Sequence, residues 1–221
     1  MICLCCGKPI RSQTSAPDRW HKACIKRFFG LEKLPEISIS NETLEWIANE
    51  TTNKGYTVPG VQKKMSLHLS VEEKARLTLV GYPSGYILKP QTKEYRALPE
   101  AEQMIMCMAD AVGISTVPHA LIHSGNEYAY ITRRVDRVWV PDQPVRLLAM
   151  EDFCQLTYRL TSDKYQSSYE RCAKVIDRWS SRKGLDMAEF FVRVVFSFLV
   201  GNSDMHLKNF SLIETAPGSQ T

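Results

Sequence analysis

The sequence has no apolar run long enough to cross a membrane. Its longest such run, Phe190 to Val200, is interrupted by Arg193, whereas a spanning helix needs about 20 consecutive apolar residues. It also has no charged-then-apolar leader, no internal repeat and no low-complexity tract. The net charge is only +4 over 221 residues, and the basic residues form no block, which argues against a nucleic-acid footprint. We therefore expect a cytoplasmic globular protein that binds neither a membrane nor nucleic acid directly.

Seven cysteines without a secretory leader indicate reduced thiols or metal ligands. Four candidate ligands form two pairs, Cys3-x-x-Cys6 and His21-x-x-Cys24, separated by fourteen residues. This pattern predicts a tetrahedral zinc site that is structural, because four protein ligands leave no position open for chemistry. Cys5 is an additional thiol, so the sequence leaves open which pair binds. The alternative is a set of buried free thiols.

The chain divides into three zones, which we predict to be domains. Residues 1–36 are a Cys/His-rich segment, residues 37–138 alternate strand and helix signals, and residues 139–221 are mostly helical. The fold class is therefore α+β, with a small antiparallel β lobe followed by a mostly helical lobe. The expected helices cover 21–29, a segment beginning at Ser40, 99–112, 150–156, 168–179 and 186–200; the expected strands lie within 55–70 and at 76–80, 85–89, 117–123 and 127–133.

Two of these helices carry more detailed expectations. The helix opened by Pro99 has an apolar stripe and stops at Gly113. The last helix begins with Asp186 and Glu189, spaced as a capping box. Its apolar residues occupy nearly the whole circumference, which predicts a buried central helix. The stripe of the earlier helix consists of Met104, Ile105, Met108, Ala109 and Val112.

The segment that follows the last helix carries the strongest chemical signal. Within Gly201 to Ser211, Asp204 precedes Asn209 by five residues. This is the D-x-x-x-x-N spacing of a protein-kinase catalytic loop, in which the Asp accepts a hydroxyl proton and the Asn binds magnesium. The interval alone is weak, because Asp and Asn are common in turns.

Other parts of a phosphotransfer site have candidates in chain order. The loop Pro59 to Lys64 could cover phosphates, and Lys89 ends an apolar strand as the phosphate-binding lysine of kinases does. Glu100 or Glu102 could orient that lysine, and the connector Thr132 to Asp136 could bind an adenine. Each segment also has an ordinary interpretation when it is considered alone. The loop would be a basic turn, Lys89 a solvated residue at the edge of a sheet, and the connector a plain linker.

As an ordered set, these segments resemble the HipA-type bacterial toxin serine/threonine kinases, and most closely the shorter HipT-like forms. The match lies in four stretches, with Glu151 to Gln155 as a further similar segment, and it runs from about residue 40 to the end. The resemblance implies a two-lobed HipA/protein-kinase-like fold that uses ATP and Mg²⁺. The four stretches are Val58 to Lys64, Tyr86 to Pro90, Arg134 to Arg137 and Gly201 to Ser211.

The resemblance also implies residue roles. Asp204 would be catalytic, Asn209 would bind Mg²⁺, Glu102 would orient the lysine, and Thr57 would be autophosphorylated. The ATP-binding set would comprise Pro59, Gly60, Val61, Gln62, Lys63, Lys64, Lys89, Arg133, Arg134, Val135, His206 and Lys208.

Partners follow from the same resemblance. Such kinases phosphorylate aminoacyl-tRNA synthetases, which stalls translation and growth and leads to persistence. The expected partners are such a substrate, a HipB-like DNA-binding antitoxin and a small HipS-like protein that supplies an N-terminal subdomain.

One part of the family site has no counterpart among the 221 residues: a second magnesium ligand, an Asp on the strand after the catalytic loop. Because Ile213 to Thr221 reads as an unfinished hairpin, we expect a truncated form of a longer kinase. The alternatives are a catalytically incomplete module that binds nucleotide or antitoxin, and a zinc-dependent nucleic-acid-binding protein.

Overall fold

The computed structural model describes residues 1–11, 19–37, 64–71, 75–78, 84–138 and 145–214. The chain divides into two compact units, Met1–Val135 and Asp136–Thr221. The predicted helix from Ser40, Thr57, the loop Pro59 to Lys63 and the end of the chain from 215 to 221 lie outside the described residues.

The first unit is built on a six-stranded sheet with the order β1-β3-β2-β4-β6-β5. The neighbouring strands are antiparallel, except for β1 and β3, which are parallel. The predicted hairpin is confirmed, with the two-residue turn Gly125-Asn126 between β5 and β6. The strands are β1 Glu36–Ile37, β2 Met65–Ser70, β3 Arg76–Thr78, β4 Tyr86–Pro90, β5 His119–Ser124 and β6 Glu127–Arg133.

The Cys/His-rich segment shares a hydrophobic core with this sheet. Helix α1 (Lys22–Phe29) ends at Gly30, whose φ of 75° is the left-handed conformation expected of a C-terminal glycine. Trp20 and Phe28 are almost fully buried and belong to the same core cluster as Leu88 and Ile131 of the sheet. The segment therefore packs as a part of the first unit.

Helix α2 (Leu98–Ala111) packs against β5 and β6. Pro99 lies in its first turn and Gly113 follows its end, as predicted. Its buried positions are Pro99, Gln103 and Ala109. Most of the predicted apolar stripe is on the surface, because Gln103, rather than an apolar neighbour, faces the core with its amide hydrogen-bonded. The exposed members of the stripe are Met104, Met108 and Val112.

Among its described residues, the second unit contains two two-stranded sheets, three α-helices and two 3₁₀ helices, Thr161–Asp163 and Leu207–Asn209. The prediction of one helix over 150–156 is wrong in its first half, because Met150–Asp152 is a strand that pairs antiparallel with Ser211–Ile213. The elements are β7 Arg137–Val138, β8 Arg146–Leu147, β9 Met150–Asp152, α3 Phe153–Leu156, α4 Tyr169–Trp179, α5 Lys183–Leu199 and β10 Ser211–Ile213.

Helix α5 differs from its prediction in two ways. It begins at Lys183, and the predicted capping box is wrong, because Asp186 instead accepts a hydrogen bond from Ser180 and pairs with Arg182. The helix is also not buried all round. One side packs against α4, whereas Phe191 and Phe198 on other faces are 66% and 84% exposed. No helix among the described residues is long and apolar enough to cross a membrane.

Candidate functional site

The loop that carries Asp204 and Asn209 is fixed at both ends. Gly201, with a φ of 72°, follows the end of α5 in a conformation that favours glycine. At the other end, Leu207 and Phe210 are buried in the core of the second unit. Strand β10 then pairs with β9. The polar residues between these anchors are therefore held on a short, defined loop.

A side-chain to backbone hydrogen bond within the loop joins Asn209 to Asp204. The Asn209 side-chain amide donates a hydrogen bond to the Asp204 carbonyl oxygen. The backbone N–H of Asp204 donates to Asn202 Oδ1 at 3.2 Å. Because the Asn209 nitrogen is engaged, its amide oxygen is the atom left to act as a ligand. The structure thus brings the two sequence-predicted residues together.

The Asp204 carboxylate lies beside two rings. Oδ1 accepts a 2.8 Å hydrogen bond from the Tyr165 hydroxyl and lies 3.8 Å from His206 Nε2. The Asp204 side chain is 66% exposed, so the carboxylate is accessible from solvent. The hydrogen bond with Asp204 raises the pKa of Tyr165 above its ordinary value.

The side chain of His206 is buried, although it was predicted to contact nucleotide. Its side chain is 8% exposed, and the Tyr165 ring meets it edge-on with a centroid distance of 5.0 Å. Among the described residues, its Nδ1 atom is buried without a hydrogen-bond partner. Burial lowers the pKa of His206, and the charge of Asp204 opposes this only in part.

Lys208 is engaged within the second unit. Its ammonium group donates a 2.6 Å hydrogen bond to Asp152 Oδ2. The other oxygen of Asp152 accepts from the backbone N–H of Gln155 and so caps α3. Lys208, assigned to ATP from the sequence, therefore ties the loop to the junction of β9 and α3.

In the first unit, Lys89 pairs with Glu102. Lys89 lies on β4 opposite Tyr130 of β6, and its Nζ is 5.4 Å from the centre of that ring. Its ammonium group forms a short ion pair with Glu102 of α2. Spacing alone left Glu100 and Glu102 as candidates, and the glutamate that meets Lys89 is Glu102, the one that the resemblance implied. Among the described residues, the buried Oε2 atom of Glu100 has no hydrogen-bond partner.

The connector candidates lie at the end of the sheet. The backbone N–H of Arg133 donates to Pro118 at 3.0 Å, and that of Arg134 donates to Gly85 at 2.9 Å. Both groups are therefore already paired within the first unit. Val135 is 51% exposed. Of the predicted phosphate loop, only Lys64 is described, and it is exposed.

The predicted zinc ligands also meet in the structure. One ligand atom from each of Cys3, Cys6, His21 and Cys24 lies within 4.8 Å of the others. Burial raises the pKa of Cys3, but backbone hydrogen bonds outweigh this and bring it to about 7. Burial and the neighbouring thiols raise the pKa of Cys24.

Sequence reasoning missed Tyr165 and the Lys208–Asp152 pair. Tyr165 lies 39 residues before Asp204, in a turn-rich segment without periodicity. Asp152 lies in the segment Glu151 to Gln155 that the resemblance includes, and the Gln three residues later could have revealed its role in the capping box that the structure shows.

Comparison with known proteins places this chain in a family. Residues 56–221 match the family model for the HipA-like C-terminal domain. The chain is 29% identical to "Putative kinase Y4mE" of Sinorhizobium fredii over 161 aligned residues. The alignment covers 71% of this chain and 38% of that protein. It is 26% identical to the serine/threonine-protein kinase toxin HipA of Shewanella oneidensis over 182 aligned residues. This alignment covers 74% of this chain and 41% of that protein.

A solved structure gives the same result. The Shewanella oneidensis toxin–antitoxin complex of HipA, HipB and operator DNA contains a chain that aligns with a TM-score of 0.56 and 25% identity, over 72% of this chain and 40% of that one. The chain thus spans less than half the length of these relatives. The predicted resemblance and the kinase-like α+β fold are confirmed, whereas the closer likeness to short HipT-like forms stays a prediction. Because the family model matches more than half of the sequence, the chain belongs to the HipA-like C-terminal domain family.

Proposed function

We propose that this chain carries the ATP-dependent serine/threonine kinase chemistry of HipA-type toxins. The observation that carries the proposal is the loop holding Asp204 and Asn209, with the exposed carboxylate and the amide oxygen on one short segment. The Lys89–Glu102 pair supports it independently, since a strand lysine fixed by a helix glutamate is the kinase arrangement.

Asp204 is the proposed proton acceptor. Its carboxylate would orient a substrate Ser or Thr hydroxyl and take its proton as the phosphoryl group is transferred. Lys89 would hold the α- and β-phosphates as a fixed cation, and Glu102 would hold its ammonium group in place. The loop Pro59 to Lys64 is proposed to cover the phosphates.

Mg²⁺ fits the donors on the loop. Carboxylate and amide oxygens are the ligands that this hard cation prefers, and Asn209 keeps its amide oxygen for that purpose. When bound with ATP, the ion neutralises charge on the phosphates. Asn209 is the residue that we propose to hold it.

A direct test uses the 221-residue chain with magnesium and γ-labelled ATP. We expect autophosphorylation, with Thr57 as the acceptor identified by mass spectrometry, and we expect Asp204→Ala to abolish it. Asp163→Ala is a suitable control, because Asp163 lies in the same unit but outside the catalytic loop. Transfer that persists unchanged in Asp204→Ala would overturn the assignment.

A second candidate function is nucleotide binding without transfer. The hydrogen bond from Tyr165 favours it, because this hydroxyl occupies the Asp204 oxygen that a substrate hydroxyl would use. Titration calorimetry with ATP and Mg²⁺, combined with the labelled-ATP transfer assay, separates the two functions. Binding without phosphate transfer supports the module, and binding with transfer supports the kinase.

The partners are proposed on the same basis. The structural neighbour comes from a complex of HipA with HipB and operator DNA, so we propose a HipB-like antitoxin as a partner of this chain. An aminoacyl-tRNA synthetase remains the proposed substrate, and a small HipS-like protein a further proposed partner. Incubating the chain with labelled ATP and a bacterial lysate, then identifying the labelled protein, tests the substrate.

A further inference from the structure

The Cys/His cluster of the first unit brings together two short segments. Cys3 and Cys6 belong to an N-terminal turn, whereas His21 and Cys24 lie at the start of α1. Their ligand atoms lie within 4.8 Å of one another. Three thiols and one imidazole make a donor set that favours zinc.

The distances within the cluster suit a tetrahedral ion. His21 Nδ1 lies 3.4 Å from the Cys6 sulfur and 3.9 Å from the Cys24 sulfur. Zinc bonds of about 2.3 Å to sulfur and about 2.0–2.1 Å to nitrogen place neighbouring ligands roughly 3.5–3.8 Å apart. The cluster therefore needs only small adjustments to close around a metal.

Contacts outside the cluster orient its ligands. His21 Nε2 lies 3.3 Å from the Pro9 carbonyl oxygen, which suits an N–H donor there and leaves Nδ1 to face the thiols. The backbone N–H of His21 approaches the Cys3 sulfur at 3.4 Å, as donors do around zinc-bound thiolates. Hydrogen-bonded support of this kind is typical of metal ligands.

The N-terminal turn is built to present both of its cysteines. The N–H of Cys3 donates to Lys8, and the N–H of Gly7 donates to Cys3, each at 3.0 Å. Gly7 has a φ of 68°, a conformation in which other residues are strained. The glycine closes the turn directly after Cys6.

We propose that Cys3, Cys6, His21 and Cys24 bind one Zn²⁺ in a closed structural site that holds the N-terminal segment on the sheet and on helix α2. The proposal is independent of the proposed kinase activity. With four protein ligands, the ion keeps no open position and acts by fixing the chain.

The segment held by this site covers the edge strand β5. The N–H of Leu121 on that strand donates to Leu4 at 2.9 Å, and the Trp20 indole donates to the Leu121 carbonyl at 3.1 Å. These bonds satisfy edge groups that would otherwise be open to pairing with another chain. Trp20, 1% exposed, packs edge-to-face with Phe28.

The same segment also reaches α2. Gln103 donates its side-chain amide to the Cys5 carbonyl at 3.2 Å, and its oxygen lies 2.8 Å from His119 Nδ1. Gln103 follows Glu102, the partner of Lys89. Cys5 lies between two ligands in the chain, so the metal would fix the turn from which its carbonyl projects.

The first experiment measures metal directly. The 221-residue chain is purified without added metal or chelator, and zinc is counted by inductively coupled plasma mass spectrometry. We expect one zinc per chain in the native protein and loss of zinc in Cys24→Ser and His21→Ala. Cys107→Ser, a thiol of the same unit outside the cluster, should keep the ion, as should Cys5→Ser.

A second measurement covers the case in which the ligand variants do not fold. The native chain is stripped of metal and titrated with Co²⁺, whose absorption reports tetrahedral thiolate coordination. We expect intense visible bands that reach their limit at one Co²⁺ per chain and are displaced by Zn²⁺. A native chain without zinc and without such bands would overturn the proposal, as would equal zinc loss in Cys107→Ser.

Discussion

The hydroxyl of Tyr165 donates a 2.8 Å hydrogen bond to Oδ1 of Asp204. The proposed proton acceptor thus has a neighbour that competes with a substrate hydroxyl for the same oxygen. The contact is open to solvent, since Tyr165 is 61% exposed, so a substrate that approaches Asp204 can displace it. If the chain is a kinase, this contact restrains its basal rate.

Replacing Tyr165 by Phe should therefore raise phosphoryl transfer. The variant frees the Asp204 oxygen and removes a donor that stabilises its charged form, so we expect kcat to increase by roughly two- to tenfold. Initial rates of autophosphorylation measure the effect. Tyr158→Phe, a tyrosine of the same unit that is 87% exposed, should leave the rate unchanged. A lower rate in Tyr165→Phe would show that the hydroxyl positions Asp204 for the reaction instead.

The ion pair between Lys208 and Asp152 should stabilise the second unit. Their side chains are 20% and 15% exposed, so the pair is screened less than a surface pair. Lys208→Met should lower the free energy of unfolding by about 1–3 kcal/mol, because it leaves a partly buried carboxylate without its cation. Urea unfolding followed by circular dichroism measures the loss.

Two substitutions at Asp152 separate the ion pair from the helix cap. Asp152→Asn keeps an acceptor for the Gln155 N–H but loses the charge, whereas Asp152→Ala loses both. Asp152→Ala should therefore destabilise by about 0.5–2 kcal/mol more than Asp152→Asn. Equal effects would mean that the cap contributes nothing.

The Lys89–Glu102 pair should control nucleotide affinity. Glu102→Gln keeps a hydrogen-bond acceptor but loses the charge that fixes Lys89, so we expect about tenfold weaker ATP binding, which corresponds to about 1.4 kcal/mol. Lys89→Met should weaken binding further, because it removes the cation itself. Calorimetric titration with ATP and Mg²⁺ gives both dissociation constants.

Glu100→Gln provides the matched control, since it lies two residues away on α2 and does not meet Lys89 in the structure. It should change the affinity by less than about twofold. Stronger weakening in Glu100→Gln than in Glu102→Gln would assign the orienting role to the other glutamate.

How much of this site the sequence could predict depends on how local each relationship is. The Asp204–Asn209 interval and the helix after Lys89 are local, and the structure shows both. Spacing alone does not distinguish Glu102 from Glu100, and the resemblance implies Glu102. The contact of Glu102 with Lys89 depends on how α2 packs on the sheet, which no spacing reveals. The sequence predicts a helix at Met150–Asp152 because the partner of this strand, Ser211–Ile213, is about sixty residues away in the chain and leaves no local signal. Tyr165 reached Asp204 by the same kind of non-local contact.

Helix α5 shows a different limit of the sequence. Apolar residues around a whole helix indicate burial on every side, yet α5 has the exposed residues Phe191 and Phe198. The apolar pattern indicates which side chains a helix would bury if another element packed against each of its sides. Only the structure shows which neighbours the described residues supply.

His206 should make the stability of the chain depend on pH. Burial lowers the pKa of His206 below its ordinary value of 6.5, so the unfolded chain takes up this proton more readily than the folded one. The free energy of unfolding should therefore fall as pH decreases from about 6.5 toward the lower folded pKa, and the contribution should be restored above that range.

The pH effect is assigned by comparing two histidine variants. Urea unfolding at about pH 7.5 and about pH 5.5 should show a smaller acid-side loss for His206→Gln than for the native chain, because the variant has no imidazole to protonate. His123→Gln removes an exposed histidine of the first unit and should retain the native pH dependence. An unchanged acid-side loss in His206→Gln would mean that the buried ring beside Asp204 does not set the pH dependence, and that other titrating groups do.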